Sequence, residues 1–151
     1  MLSVSFAELP ALAGREIGVS DWLTIDQARI DRFAEATGDR QWIHVDRERA
    51  AREMPGGKTI AHGYLTLALI PLLIQDLLKI EGLKRGLNYG ADKVRFTSMV
   101  PEGSRVRARQ ILLSVEPRGG GLQLVSEITI EIEGEKRPAC VAETIAIIYD
   151  K

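Results

Sequence analysis

The sequence predicts an α+β fold in which one long apolar helix is covered by an antiparallel sheet. No Asp, Glu, Lys or Arg occurs between Thr59 and Gln75, whereas the chain after about Asn88 alternates apolar and polar residues between Gly- and Pro-containing turns. An apolar helix must be buried, and a sheet with one apolar face must cover something, so the two are expected to pack together. The 151 residues fit a single domain over residues 1–151.

The first helix is predicted from its capping signals. After an irregular start, residues 17–24 are expected to be a short extended segment. Thr24 and Gln27 have the spacing of a capping box, which predicts a helix from this point to Thr37. Gly38 stands where a left-handed C-cap would end that helix.

The next segment is expected to be a loop followed by a short helix. Residues 39–45 are interpreted as loop, and Asp46 is a suitable N-cap for a helix that runs to about Glu53. The sequence Pro55-Gly56-Gly57 then breaks the chain.

The apolar segment is predicted to form one helix over residues 61–78. Its Leu-rich sequence is apolar on nearly every face, which indicates burial all round. Pro71 is expected to kink this helix. The charge-free segment is shorter than the roughly 20 apolar residues that span a bilayer, so no membrane segment is expected.

Four consecutive strands are predicted after the helix. They are expected to pair as an antiparallel meander because the turns between them are short. The predicted strands cover residues 88–100, 104–116, 122–133 and 139–149.

Composition excludes several classes of function. The net charge is −1, which gives no electrostatic reason to expect nucleic acid or an anionic membrane as partner. Cys140 is the only cysteine, so neither an intramolecular disulfide nor a zinc site of clustered thiolates is expected. The N-terminus lacks the pattern of a secretory signal, so a cytoplasmic location is expected.

The residues that indicate chemistry are concentrated around the start of the apolar helix. Asp39 and His44 lie five residues apart, just after the predicted helix end at Gly38. A carboxylate and an imidazole on one loop can hold a water molecule and move protons through it. His62 and Gly63 follow at the start of the apolar helix, where free backbone N–H groups favour negative charge.

These residues resemble the MaoC-like dehydratases, also called (R)-specific enoyl-CoA hydratases or hydratase 2. The resemblance rests on the run Phe-Ala-x-Ala-Thr-Gly-Asp-x-x-x-x-His, on Ala61-His62-Gly63, and on the later Val-Arg-Phe and Val-Pro-x-Gly sequences. It covers residues 15–149 and is strongest towards the nodulation-protein-N-like branch. It implies a hot-dog fold, a homodimer, and a role in fatty acid metabolism.

The resemblance also implies a reaction and a set of site residues. The reaction is hydration of a trans-2-enoyl-CoA to an (R)-3-hydroxyacyl-CoA, or the reverse dehydration. Asp39 and His44 correspond to the catalytic pair, and the backbone N–H of Gly63 corresponds to the oxyanion donor. Many relatives carry Asn-Pro where this chain has Gln41-Trp42, so Gln41 is expected to brace the loop through its amide. His62 is expected to cap or brace the same loop.

No metal or redox cofactor is expected, since the sequence shows no metal-ligand cluster and no phosphate-loop motif. The CoA thioester, or an acyl-carrier-protein thioester, is expected to be the substrate. Two alternatives stay open at this stage. One is a hot-dog thioesterase, and the other is an acyl-thioester-binding subunit without catalysis. Arg105, Arg107 and Arg109 lie on one strand face and suit either CoA phosphates or a solvated sheet surface.

Overall fold

A six-stranded antiparallel sheet packs its inner face against two short apolar helices. The computed structural model describes all 151 residues. The strands in chain order are β1 (Leu2–Ser5), β2 (Arg15–Val19), β3 (Leu23–Ile25), β4 (Leu78–Glu81), β5 (Arg85–Arg95), β6 (Ser104–Arg118), β7 (Gly121–Ile132) and β8 (Cys140–Tyr149). The α-helices are α1 (Gln27–Thr37), α2 (Trp42–Val45), α3 (Arg47–Glu53), α4 (Gly63–Ala68) and α5 (Ile70–Ile74), with 3-10 turns at Phe6–Leu12 and Pro55–Gly57.

The strand order corrects the predicted meander. The order is β2-β6-β7-β8-β5, with β3 also paired to β6, so β6, β7 and β8 form a meander but β5 pairs with β8 at the far edge. The reason lies in the connection from β5 to β6, which is not a hairpin. The N–H of Ala61 donates to the carbonyl of Val100 at 2.8 Å, and Ile60 forms a bridge with Pro101. These contacts lead the chain past the start of α4 before β6 begins.

Apolar side chains of α4, α5 and the inner sheet face form the main core. Leu65, Leu69 and Leu73 from the helical segment pack with Ala108 and Ile128, and all five are buried. This arrangement of a helical segment on an antiparallel sheet confirms the predicted hot-dog fold. None of the α-helices combines the length and the apolar character that a membrane span requires.

The predicted helix over residues 61–78 is wrong in its extent. It is divided at Leu69 into α4 and α5, and Pro71 lies at the start of α5, where its missing N–H costs no helical hydrogen bond. The chain then forms β4, which pairs in parallel with the N-terminal strand β1. Burial is also incomplete, because Tyr64 and Leu72 remain 70% and 43% exposed.

The N-terminal half contains more regular structure than predicted. The segments that were expected to be irregular, extended or loop form β1, β2, β3, a 3-10 turn and α2.

The helix caps of this half agree with the sequence except at the first position. Asp26, and not Thr24, caps α1, because its carboxylate accepts a hydrogen bond from the N–H of Arg29 at 2.8 Å. The expected left-handed cap at Gly38 is present, with φ of 83°. Asp46 caps α3 as expected.

Candidate active site

Asp39 is positioned by the end of α1. Gly38 adopts the left-handed conformation and donates its N–H to the carbonyl of Ala34 at 2.9 Å, which ends the helix and turns the chain. The Asp39 side chain that follows is exposed. Its carboxylate accepts a hydrogen bond from the backbone N–H of Gln41 at 3.4 Å.

His44 lies on the single-turn helix α2, within the segment predicted as loop. Its ring is buried, and Nδ1 lies 2.7 Å from the carbonyl oxygen of Ile60. A carbonyl only accepts, so Nδ1 carries the proton and Nε2 keeps the lone pair of the neutral ring. Burial lowers the pKa of His44; the Ile60 hydrogen bond and the charge of Asp39 oppose that shift, and His62 adds to it. His44 is therefore neutral at neutral pH and able to accept a proton.

His62 lies beneath this loop and is 2% exposed. Its Nε2 donates to the backbone carbonyl of Asp39 at 2.9 Å, so it ties the loop to the start of α4. Its ring stacks on His44, with centroids 3.8 Å apart, and also packs against Phe33 at 4.8 Å. Nδ1 of His62 is buried and has no hydrogen-bond partner.

The three polar side chains converge. One ring nitrogen from each of His44 and His62 and one carboxylate oxygen of Asp39 lie within 4.8 Å of one another. A water molecule that bonds two such groups at about 2.8 Å each spans a separation of roughly 5 Å. The planes of the two stacked rings are inclined by only 21°, so the lone pairs of the two rings lie in separate, nearly parallel planes and do not converge on one metal ion. The geometry therefore suits a shared water better than a shared ion.

Gly63 begins α4, and its N–H makes no hydrogen bond within the protein. His62 is the N-cap residue, and the N–H groups of Leu65 and Thr66 both donate hydrogen bonds to its carbonyl oxygen. A Cβ at position 63 would lie 2.8 Å from ring carbons of Phe96. Glycine is therefore required at this position because a larger residue would collide with Phe96. The backbone N–H of Gly63 itself is free to bind an acceptor.

Gln27, which sequence reasoning assigned only to a capping box, is a brace of the site. Its Nε2 donates to the carbonyl of His44 at 2.8 Å, and its Oε1 accepts a hydrogen bond from the hydroxyl of Thr59. It thus links α1, α2 and the segment that leads to α4. Gln41 contributes through its backbone, because its carbonyl accepts from the N–H of His44 at 3.0 Å and its side-chain amide makes no hydrogen bond. No sequence signal distinguishes Gln27 from other glutamines in a first helical turn.

A large cavity lies between the helical segment and the sheet. Its volume is about 710 Å³, within the range of small-molecule sites. Apolar side chains from both layers line it, among them Leu67, Ile70, Ile74 and Ile145. Leu67 is four residues beyond Gly63, or about 6 Å along the helix. The cavity thus begins close to the free N–H of Gly63 and extends along α5.

Comparison with known proteins identifies the family of the chain. The MaoC-like domain family matches residues 8–126. The chain belongs to the MaoC-like family. It is 54% identical over 142 residues to 3-hydroxyacyl-thioester dehydratase Z of Mycobacterium tuberculosis, covering 93% of both chains. It is also 49% identical over 150 residues to Nodulation protein N of Rhizobium leguminosarum bv. viciae, covering 98% of this chain and 93% of the relative.

The fold of this MaoC-like chain also matches solved structures. The unliganded R-hydratase PhaJ1 from Pseudomonas aeruginosa superimposes with a TM-score of 0.71 at 23% identity, covering 92% of this chain and 83% of that one. At this identity the likeness supports the shared fold.

The arginine row of this MaoC-like protein is already neutralised by carboxylates. Trp22 covers the guanidinium of Arg107 on the same outer surface of the sheet. Hydrogen bonds from Arg107, which has the larger effect, and from Arg109 lower the pKa of Glu131. These contacts fit the interpretation as a solvated sheet surface. The ion pairs are Arg105–Glu133 at 2.6 Å, Arg107–Glu131 at 2.7 Å and Arg109–Glu16 at 2.6 Å.

Proposed function

We propose that this chain hydrates trans-2-enoyl thioesters to (R)-3-hydroxyacyl thioesters and catalyses the reverse dehydration. The family and the named relatives support an enzyme of the hydro-lyase class that acts on acyl thioesters in fatty-acid-related metabolism. The single observation that carries the proposal is the convergence of Asp39, His44 and His62 within 4.8 Å, where His62 is the residue directly before the free N–H of Gly63.

In the proposed mechanism, Asp39 and His44 hold the reacting water between them. His44 accepts a proton from this water at its unprotonated Nε2 while the water oxygen bonds to C3 of the substrate. The electron pair of the double bond moves to C2 and on to the thioester carbonyl, giving an enolate. His44 then returns the proton to C2 from the side on which water attacked, so the addition is syn. Such positioned acid–base groups typically accelerate a reaction by about 10²–10⁴-fold.

The N–H of Gly63 is proposed to stabilise the enolate oxygen. It lies in the first turn of α4, where unpaired N–H groups and the peptide dipoles favour negative charge. A preorganised donor at this point acts on charge that develops only as the reaction proceeds. His62 and Gln27 are proposed to hold the loop and α2 so that the water, the double bond and this donor stay aligned. The chemistry moves only water and protons, so the proposal includes no cofactor.

The acyl chain is proposed to occupy the 710 Å³ cavity beside α5, carried on either CoA or an acyl carrier protein. Because Cys140 is buried and unpaired, a reducing compartment such as the cytoplasm suits the protein.

A homodimer is part of the proposal. β5 is one edge of the sheet, opposite the edge formed by β2 and β3, and its outer backbone groups are free to pair with a second copy. Leu87 and Tyr89 on this strand are each 53% exposed. Tyr64 and Phe96 extend the apolar surface towards Gly63 with an edge-to-face contact at 5.8 Å. Pairing along β5 would cover this apolar surface, and the interface between the two subunits would then lie near the candidate active site.

The experiment is a comparison of two signals from one reaction. The protein is mixed with crotonyl-CoA, and loss of the enoyl absorbance is followed beside release of free thiol. The proposal predicts loss of enoyl absorbance with no thiol release. Thiol release alone would identify a thioesterase, and binding without either signal would identify a non-catalytic subunit.

A further inference from the structure

A second group of buried polar side chains lies on the inner face of the sheet. Gln110 on β6 and Ser126 on β7 are 7% and 5% exposed, and Thr144 lies beside them on β8. Ser126 and Thr144 are opposite each other in the β7–β8 register. Gln110 Nε2 donates to the Ser126 hydroxyl at 3.2 Å. The three residues, here called the polar strip, cross three adjacent strands.

The polar strip lies in rows that are otherwise apolar. On β6 the inward residues on either side of Gln110 are Ala108 and Leu112, and on β7 those beside Ser126 are Leu124 and Ile128. Ala108 and Ile128 belong to the main core, whereas Leu112 and Leu124 belong to a separate apolar cluster. The strip therefore divides two apolar cores, and all three of its residues line the 710 Å³ cavity.

Gln110 is incompletely bonded. Its Oε1 atom is buried and has no hydrogen-bond partner, although its Nε2 atom bonds Ser126. A buried acceptor without a donor is costly, and most buried polar groups in folded proteins are satisfied. An amide aimed into a ligand-sized apolar cavity therefore calls for a ligand group that supplies the missing donor. A hydroxyl group suits it, because it can both donate to the amide and accept from it.

The position of the polar strip indicates which part of a bound ligand would contact it. α5 is the helix that packs against β6, so Gln110 meets the cavity at the level of α5. Ile70, the first residue of α5, is seven residues beyond Gly63, or about 10 Å along the helix. A thioester carbonyl bound at Gly63 would thus place the distal part of its acyl chain, and not the reacting C2–C3 bond, at the strip.

We propose that the acyl group bound in this cavity carries a hydroxyl group beyond its reacting double bond, which Gln110 and Ser126 recognise. This assignment of a substrate class rests on the proposed hydratase function. It adds to that function a hydrogen bond at the far end of an otherwise apolar chain.

The test uses saturated acyl-CoA ligands that cannot react. Binding of octanoyl-CoA and of ω-hydroxyoctanoyl-CoA to the wild-type protein is measured by calorimetry, with the hexanoyl and decanoyl pairs alongside. At one or more of these lengths the hydroxylated ligand is expected to bind about 10- to 100-fold more tightly, as one satisfied buried hydrogen bond implies. Equal affinities within all three pairs would overturn the proposal.

Substitution separates the role of Gln110 from a merely structural one. Gln110→Met keeps the length of the side chain and removes both polar atoms, so it should abolish the preference and leave binding of octanoyl-CoA equal or tighter. Gln123→Met is the matched control, because Gln123 lies on β7 and bonds Arg118 outside the cavity. A preference that survives Gln110→Met would also overturn the assignment.

The same preparation of protein is assayed with crotonyl-CoA, whose short chain cannot reach the strip. Hydration of crotonyl-CoA without a hydroxyl preference would reject the polar-strip proposal alone. A failure to hydrate both crotonyl-CoA and trans-2-octenoyl-CoA would reject the proposed function, whatever the binding measurements show.

Discussion

Replacing Gln27 by Met should disrupt the site although both residues of the proposed catalytic pair stay unchanged in sequence. Gln27 is the one side chain that hydrogen-bonds both α2, through the carbonyl of His44 at 2.8 Å, and the hydroxyl of Thr59. Methionine has a similar length and keeps the apolar contacts of the stem. The substitution therefore removes these two hydrogen bonds, together with an exposed one from Nε2 to the carboxylate of Asp31 at 2.8 Å, and leaves the packing nearly unchanged.

The magnitude is set by the two part-buried bonds, to His44 and Thr59, because the exposed bond to Asp31 is readily replaced by water. Each buried hydrogen bond contributes about 0.5–1.5 kcal/mol net, so the loss of unfolding free energy should be about 1–3 kcal/mol. Thr59 is 1% exposed and would lose the acceptor of its hydroxyl, which favours the upper part of that range. Misplacement of a reacting group by about 1 Å can cost about 10²-fold in rate. We therefore expect kcat to fall by about 10- to 100-fold, with KM changed much less.

Gln41→Met is the matched control, because the Gln41 side chain makes no hydrogen bond and only its backbone braces the loop. Urea unfolding gives the free energies, and hydration of crotonyl-CoA gives kcat and KM. The reasoning predicts a large effect for Gln27→Met and a small one for Gln41→Met. Equal effects, or a larger effect at Gln41, would refute the assignment of Gln27 as the brace.

Three further predictions concern the site itself. Asp39→Asn should lower kcat by about 10²–10⁴-fold with an unchanged circular dichroism spectrum, and an active variant would remove Asp39 from the mechanism. The folded pKa of His44 is below its ordinary value of 6.5, so between those two values the unfolded chain binds the extra proton. The unfolding free energy should thus fall as pH drops below about 6.5, and urea titrations of His44→Gln should show a smaller fall. Gly63→Ala should displace Phe96 and impair turnover, whereas Gly18→Ala, where a Cβ meets only an ordinary contact at 3.5 Å, should not; retained activity of Gly63→Ala would contradict the spatial requirement.

The sequence predicted the fold best where one physical signal dominates. The strand that became β7 alternates between apolar and polar residues except at Val125 and Ser126, and its predicted and observed ends agree closely. The helix end at Gly38 was equally predictable, because a left-handed cap favours glycine.

Errors arose where distant segments decide the local structure. Leu78 ends the Leu-rich run that was predicted as helix, yet pairing with β1 makes it the first residue of β4. β5 lies beside β8 because the chain after it is held against the segment before α4, a contact that no local pattern reveals. Propensity and periodicity describe neighbours in sequence, so they do not predict these pairings.

The site shows the same division. The grouping of Asp39 and His44 near the helix start at Gly63 could be predicted, because a short spacing and a helix start encode it locally, and the roles of these residues in catalysis stay a prediction. Gln27 and the buried polar strip were not, because their importance depends on partners more than fifteen residues away. His62 was predicted as a brace, and its bond to the Asp39 carbonyl adds the geometry on which that proposal now rests.

The most direct test of the central claim is the stereochemistry of hydration in deuterated water. The protein is given a trans-2-enoyl-CoA in D₂O, and the product is analysed by chiral chromatography and NMR. If Asp39 and His44 hold one water and protonate C2 from the same side, the product is the (R)-3-hydroxyacyl-CoA, with deuterium at C2 added syn to the hydroxyl. An (S) or racemic product, or deuterium added from the opposite face, would contradict the account.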